Sequence, residues 1–383
     1  MSLKIVFVST YTPRRCGIAT FTRDLRMALC KCISEIYCPV IAIVKRESQE
    51  NYSAEVVFQI HQEDSKSYLE AATFINTSPI NIVSVQHEFG IFGGKYGEYI
   101  IPFLQHIHKP IITTLHGLVP FPSSKLRQIV RDIYQCSDAV VIMAETATKI
   151  LRENYAIKGD KLYVIPHGVP IMQMDNLEEA KHQLGLGDRY IITTFGLIRP
   201  SKGIEYVIET LPYLIKKYPR IMYLVLGQTH PEWYDYIGER YYNFLKLKVL
   251  QFRLWQYVSF VERYLADEEL IKYLQATDIY INPYISFHNI VSGTLAYALA
   301  SGKAIISTPY PYAKEVLSKG RGILVPYKDT LAIAQAIDSI LSNPQYKYKL
   351  EQEAYTFGQT MQWPKVAKAY LDLFMRISRR KKE

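Results

Sequence analysis

Short apolar runs rich in β-branched residues alternate along the chain with longer segments of helical period, and this alternation constrains the fold more than any other feature. Parallel strands need a crossover between them, usually a helix, so the pattern predicts an α/β architecture. In the first half the expected strands are Lys4 to Ser9, Ile80 to Gln86, Pro110 to Leu115, Ala139 to Ala144 and Leu162 to Pro166. A second series runs Tyr190 to Phe195, Ile221 to Leu226, Val258 to Val261, Asp278 to Asn282, Ala304 to Thr308 and Gly322 to Val325. Helical patterns fall at Ile204 to Lys217, Asp267 to Ala276, Gly293 to Ala300, Leu331 to Leu341 and Pro364 to Ser378. The polar stretch Met174 to Arg189 reads as the connection between two α/β domains that face each other across a cleft.

Length and composition agree with two folded domains. A chain of 383 residues exceeds what one core organises, and 49% hydrophobic with 21% charged residues excludes disordered and collagen-like classes. The 45 Lys+Arg against 36 Asp+Glu give a net charge of +9, which points to anionic partners without choosing among nucleic acid, phosphorylated ligands and an acidic membrane surface. Five cysteines, Cys16, Cys30, Cys32, Cys38 and Cys136, have neither zinc-finger nor C-x-x-C spacing and read as reduced thiols. The opening apolar stretch is too short for a secretory leader, and no apolar run reaches the length of a membrane span. The expectation is a cytoplasmic protein, attached at most to a membrane surface.

Ligands of open α/β sheets bind at the carboxyl ends of the strands. Thr10, Gln86-His87-Glu88, His116-Gly117, Glu145-Thr146 and His167-Gly168 all fall at such ends in the first series and are expected on one rim. In the second series, Phe195-Gly-Leu-Ile-Arg-Pro-Ser-Lys-Gly-Ile204 is a strand end, a Gly-bearing turn holding Arg199 and Lys202, and a helix start. A doubly negative leaving group needs fixed cations and N–H donors, and this loop supplies both. Solvated charges on a surface loop are the plain alternative. Gly17, ahead of a helix that opens on Ala19 and Thr20, permits close backbone approach after the first strand. The turn is not G-x-G-x-x-G, which disfavours a dehydrogenase-type dinucleotide fold. Ser292, Gly293 and Thr294 open another helix, either to clamp a diphosphate or as an ordinary N-cap.

Taken together, Gly17, Ile165-Pro-His-Gly-Val169, the Gly196…Arg199…Lys202-Gly203 loop, Val258-Ser-Phe260 and Gly293…Leu299-Ala-Ser-Gly-Lys-Ala-Ile-Ile306 resemble the retaining glycosyltransferases of the GT-B fold, glycosyl transferases group 1, a family of bacterial and archaeal mannosyl- and glucosyltransferases. The resemblance spans essentially the whole chain. It implies two Rossmann-like domains: residues 1–180 for the acceptor, with a C-terminal helix at 363–383 packing back on it, and residues 181–362 for a nucleotide-sugar donor. It implies that Arg199 and Lys202 neutralise the donor diphosphate, that Gly196, Ser292, Gly293 and Thr294 bind phosphates and sugar, and that Glu262, Arg263 and Tyr264 lie against the base and ribose. His116 corresponds to the family's histidine near the donor anomeric centre, and a structural rim histidine is the alternative.

The chain departs from the family in two places. The family's Arg usually follows the Gly directly, where this chain has Leu197, and Arg199 comes two positions later. The usual Glu-x7-Glu pair falls on Asn289 and Tyr297. Asn289 retains hydrogen-bonding capacity toward a sugar hydroxyl but contributes less than a carboxylate. No Asp-x-Asp occurs, so no metal and no other cofactor is expected, and retention would arise by front-face departure and attack around an oxocarbenium-like centre.

On the acceptor side, His87 and Glu88 precede a glycine- and aromatic-rich loop, Phe89 to Gly97, and are the hydroxyl-orienting candidates, a mobile surface loop being the alternative. The implied donor is GDP-mannose or UDP-glucose and the acceptor a glycan or a lipid-linked sugar. The basic Arg379-Arg-Lys-Lys382 tip suits an anionic membrane surface. Trp233 to Trp255 mixes aromatic and basic residues, which a helix over the second sheet explains without nucleic acid. A nucleotide-sugar-binding relative without catalysis is the rival reading. Nucleic-acid binding is the other, and it lacks a recognisable motif.

Overall fold

The computed structural model describes residues 3–33, 35–45, 50–174, 177–230 and 238–380. The chain divides into two compact units, one of residues 1–168, 288–291 and 363–383 and the other of residues 169–287 and 292–362.

The first unit runs β1 (Ile5–Ser9), α1 (Gly17–Cys32), β2 (Val40–Val44), β3 (Val56–His61), α2 (Ser65–Thr77), β4 (Ile82–His87), α3 (Ile100–His106), β5 (Ile111–Leu115), α4 (Ser124–Cys136), β6 (Ala139–Ile142), α5 (Glu145–Tyr155) and β7 (Leu162–Val164). Its seven strands form a parallel sheet in the order β3-β2-β1-β4-β5-β6-β7. Strands β1, β2, β4, β5 and β6 are buried along their whole length, as expected for strands covered on both faces. β2 and β3 lie outside the expected set. β3 is an edge strand whose Val56, Phe58 and Ile60 alternate with more exposed residues, and such an alternation over six residues is easily read as loop.

The second unit runs α6 (Leu177–Gln183), β8 (Tyr190–Phe195), α7 (Ile204–Leu214), β9 (Ile221–Leu226), α8 (Arg240–Gln251), β10 (Val258–Val261), α9 (Asp267–Gln275), β11 (Ile279–Asn282), α10 (Gly293–Ala300), β12 (Ala304–Ser307), α11 (Pro311–Val316), β13 (Ile323–Leu324), α12 (Thr330–Leu341) and α13 (Pro344–Gly358). Its sheet is parallel in the order β10-β9-β8-β11-β12-β13. The stretch read as a connection is more than a linker. It carries α6, whose buried Lys181 pairs with Asp278 at 2.9 Å, while residues 175 and 176 lie outside the described residues.

The last helix, α14 (Trp363–Arg380), returns to the first unit and packs against α1. Val366, Tyr370 and Phe374 of α14 share a core with Phe21 and Leu25 of α1, and the Tyr370 hydroxyl bonds Thr114 Oγ1 at 3.0 Å. Residues 288–291 also belong to this unit, with Ile290 buried in its core. All five cysteines are free.

Candidate functional site

In the second unit the elements after β8 and β11 bring five of the expected residues together. Gly196 has φ +114°, and a Cβ there would meet Lys202 Nζ at 2.8 Å and Thr294 Cγ2 at 2.9 Å, so only glycine leaves room for both neighbours. Ile198 is tied to the loop beyond β9 through Gln228 and His230, which fixes the turn and sends the chain out again at Arg199, in extended backbone. A single turn of 3-10 helix then carries Lys202 back inward.

Lys202 is only 5% exposed. Its ammonium donates to the Phe195 carbonyl at 2.9 Å and to the Tyr284 hydroxyl at 3.2 Å, and it sits 5.0 Å from the centre of the Tyr284 ring. The Tyr284 hydroxyl also bonds Thr294 Oγ1 at 3.2 Å, which bonds Ser292 Oγ at 3.1 Å. Ser292 Oγ accepts from Leu295 N at 3.3 Å, so Ser292 caps α10 while its hydroxyl closes the chain that starts at Lys202. Among the described residues no carboxylate pairs with Lys202. Burial lowers its pKa, with Arg199 adding to the effect and Tyr284 opposing it. Burial raises the Tyr284 pKa, but the Lys202 charge and hydrogen bonds with Thr294, Lys202 and Ser292 together outweigh it and hold the phenol below its ordinary value. A buried cation facing only a carbonyl and a phenol is costly, and an anionic oxygen there would relieve that cost.

Gly293 is the first residue of α10. Arg199 is half-buried at the mouth of its turn and, among the described residues, has no ion-pair partner. Glu262, Arg263 and Tyr264 follow β10, two strands from β8 in the sheet order, and are not part of the Lys202 cluster. Glu262 pairs with Lys246 at 2.7 Å, and Arg263 forms a two-pronged pair with Glu269. Tyr264 is 37% exposed. Asn289 is half-buried in the segment that belongs to the first unit, and Tyr297 is buried near Phe195. The residue that sequence reasoning missed is Tyr284. It lies two residues past the end of β11, after Pro283, a strand-end position of the kind that singled out the other candidates.

In the first unit, Gly17 opens α1 with nothing within 4 Å of the place a side chain would occupy. Cys16 caps this helix, its sulfur accepting from Ala19 N at 3.3 Å. At the rim, His116 N donates to the His87 carbonyl and His116 Nε2 contacts Gln86 Oε1, both at 2.9 Å. Phe21 lies edge-on to His116 at 4.7 Å and to His167 at 5.2 Å. Burial, with smaller contributions from His167 and His87, holds His116 neutral down to about pH 3, and burial does the same for His167 to about 4.

His87 departs from the expected rim position. It is fully buried, stacked on Phe92 at 5.5 Å and edge-on to Phe89 at 5.1 Å, because the loop after β4 folds its aromatic residues back over the strand end. Among the described residues neither ring nitrogen has a hydrogen-bond partner, and burial pulls the pKa down to about 3. Glu88 stays half-exposed, with Oε2 accepting from Gly90 N at 2.8 Å.

Among the described residues no three His, Cys, Asp or Glu side chains gather as a metal site would require, and no helix is long and apolar enough to cross a membrane. Trp233 and residues 381–383 lie outside the described residues. The part of the aromatic and basic segment that is described includes α8.

Comparison with known proteins matches residues 176–357 to the family described as glycosyl transferases group 1 and residues 71–173 to glycosyltransferase family 4. An uncharacterized glycosyltransferase of Methanocaldococcus jannaschii is 25% identical over 320 residues, 79% of this chain and 78% of that protein. Among solved structures, sucrose-phosphate synthase from Thermosynechococcus elongatus superposes with a TM-score of 0.79 at 18% identity, covering 98% of this chain and 99% of that one. HepE of Anabaena, solved in complex with UDP, gives 0.76 at 14% identity, covering 98% and 100%.

Proposed function

Because the chain belongs to the group 1 glycosyltransferases and has the two parallel-sheet, Rossmann-like domains of the GT-B fold, we propose that it moves a hexose, mannose or glucose, from a nucleotide-diphosphate sugar to a hydroxyl of a glycan or lipid-linked acceptor. The observation that carries this reading is Lys202, a buried ammonium with which no carboxylate pairs among the described residues. As the sugar–phosphate bond breaks, negative charge grows on the departing diphosphate. A preorganised cation and the N–H groups at the start of α10 stabilise that charge more than they stabilise the intact donor. Arg199 adds a second cation, and Gly196 keeps the approach open.

Around that centre we assign roles by residue. Glu262, Arg263 and Tyr264 take the base and ribose, about 10 Å from the phosphates as two strand spacings require. Asn289 and the hydroxyls of Ser292 and Thr294 take sugar hydroxyls and phosphate oxygens. Gly17 admits the ligand close to the backbone of α1. His116, neutral at physiological pH, supports the oxocarbenium-like centre, and retention follows from front-face attack. No metal takes part in this scheme. On the acceptor side Glu88 orients the hydroxyl, and His87 supports the loop from beneath.

The donor is a UDP- or GDP-sugar. UDP accords with the ligand of the Anabaena neighbour, GDP-mannose with the family's mannosyltransferases. A lipid-linked acceptor would place the enzyme on the inner face of the membrane, held by its basic C-terminal tip, of which residues 381–383 lie outside the described residues. A second reading, a nucleotide-sugar-binding protein without turnover, is favoured by Asn289 and Tyr297 standing where the family has glutamates. Nucleotide release from GDP-mannose and UDP-glucose over an acceptor panel, in the presence of EDTA, decides between them. Release that depends on Lys202 supports the transferase, and tight donor binding with no release supports the second reading.

A further inference from the structure

Helix α8 has two apolar faces. One, made of Tyr241, Tyr242, Leu245 and Val249, is buried in the second unit. On the other, Phe244, Leu247 and Leu250 recur at three-residue steps and are 42%, 64% and 61% exposed. The stripe continues past the helix into Phe252 and Trp255, 36% and 58% exposed, while Leu254 between them is fully buried and anchors the turn. Single exposed apolar side chains need no explanation, but five within twelve residues on one surface do.

The unpaired charge in this segment is positive, although Glu239 directly precedes it. From Arg240 to Val261 the chain has no Asp or Glu, and four basic residues, Arg240, Lys246, Lys248 and Arg253, flank the apolar side chains. Lys246 and Lys248 pair with Glu262 and Glu209, whereas among the described residues no carboxylate pairs with Arg240 or Arg253. A second copy meeting this face across a two-fold axis would set like charges against each other, and a nucleic acid would leave the leucines and Trp255 uncovered. A surface that is anionic outside and apolar beneath satisfies both halves of the pattern.

We propose that the outer face of α8 and the turn through Trp255 form a docking surface for an anionic lipid bilayer, with Phe244, Leu247, Leu250, Phe252 and Trp255 entering the headgroup boundary and Arg240 and Arg253 contacting lipid phosphates. The residues of this surface are not those of the C-terminal tip, and the proposal does not depend on the donor chemistry.

The test is co-sedimentation of the full chain with vesicles of phosphatidylcholine alone or mixed with phosphatidylglycerol. The expected result is binding to the anionic vesicles, a fall of about tenfold or more for Leu247→Ser/Leu250→Ser/Trp255→Ser, and little change on deleting residues 380–383. Because five exposed positions carry both variants, Arg240→Glu/Arg253→Glu serves as a second probe that leaves the apolar stripe intact, with thermal melts confirming that each variant is folded. It should lower binding and remove its sensitivity to salt. Failure of the wild type to bind anionic vesicles, equal binding by both folded variants, binding lost only with the tip, or a dimer that the serine variant dissolves without any vesicle binding would each overturn the proposal.

Discussion

The Tyr284 hydroxyl lies 3.2 Å from the ammonium of Lys202 and 3.2 Å from Thr294 Oγ1, so a single phenol joins the loop after β8 to the first turn of α10. Stacking on Tyr310, 5.4 Å between ring centres, fixes the plane of that phenol. The arrangement holds a positive charge inside the domain that no carboxylate offsets among the described residues, and the first two predictions follow from that.

Lys202→Met removes a buried charge that no carboxylate among the described residues offsets, and the methionine fills nearly the same volume. We expect the variant to melt higher than the wild type in the absence of nucleotide, by about 2–4 °C for each kcal/mol regained, while kcat/KM falls about 100-fold or more. Calorimetric melts paired with turnover assays check both halves. A lower melting temperature would show that the ammonium's bonds to Phe195 and Tyr284 outweigh its desolvation.

Tyr284 sets an upper pH limit for donor binding. Lys202 lowers the Tyr284 pKa below the ordinary value of about 10. As pH rises through that lowered value, the phenol loses its proton and the phenolate takes up the Lys202 charge that would otherwise face the donor. Donor KM should therefore climb on the alkaline side well before a free tyrosine would titrate. In Tyr284→Phe the ring remains beside the ammonium but this limb disappears, which a pH profile of KM for the nucleotide sugar detects. An unchanged alkaline limb in the variant would assign it to another group.

The three histidines at the end of the first sheet make that unit sensitive to acid. Burial holds His87 and His116 neutral to about 3 and His167 to about 4, against about 6.5 in an unfolded chain. The unfolded state thus binds more protons, and the stability these groups contribute is present above pH 6.5 and is lost as pH falls toward 4 and then 3. For His87 the slope approaches about 1.4 kcal/mol per pH unit once the unfolded imidazole is charged. Because neither of its nitrogens has a partner among the described residues, His87→Leu should be tolerated at pH 7 and should flatten the loss between pH 6.5 and 5. Urea midpoints across that range measure it, and parallel curves for variant and wild type would remove His87 as a source of the effect.

Much of this was legible in the sequence because local patterns carried it. The strand that ends at Phe195, the glycine that follows it and the lysine before the next helix are adjacent in the chain, and local spacing sufficed to place Lys202 on the turn between β8 and α7. The residues that were misplaced or missed depend on long-range packing. Tyr284 is 82 residues from Lys202 and reads as core, since nothing local separates a phenol aimed at a cation from one packed inward. His87 sits at a strand end, as rim residues do, but Phe89 and Phe92 fold back over it, a consequence of the loop's path that no periodicity reports. Glu262 and Arg263 look free until Lys246 and Glu269 are seen beside them. β3 was missed because one exposed face gives an edge strand an alternating pattern instead of the apolar run of a central one.

In the proposed function, Lys202 is the protein's half of an ion pair completed by the donor diphosphate. Calorimetric titration of UDP and GDP into the wild-type protein and into Lys202→Met, both in EDTA, tests it most directly. One of the two nucleotides should bind the wild type without metal, and its affinity should fall about tenfold or more in the variant, the size expected for a charge-assisted hydrogen bond. Equal affinity in the two proteins, or binding that appears only when a divalent metal is restored, would contradict it.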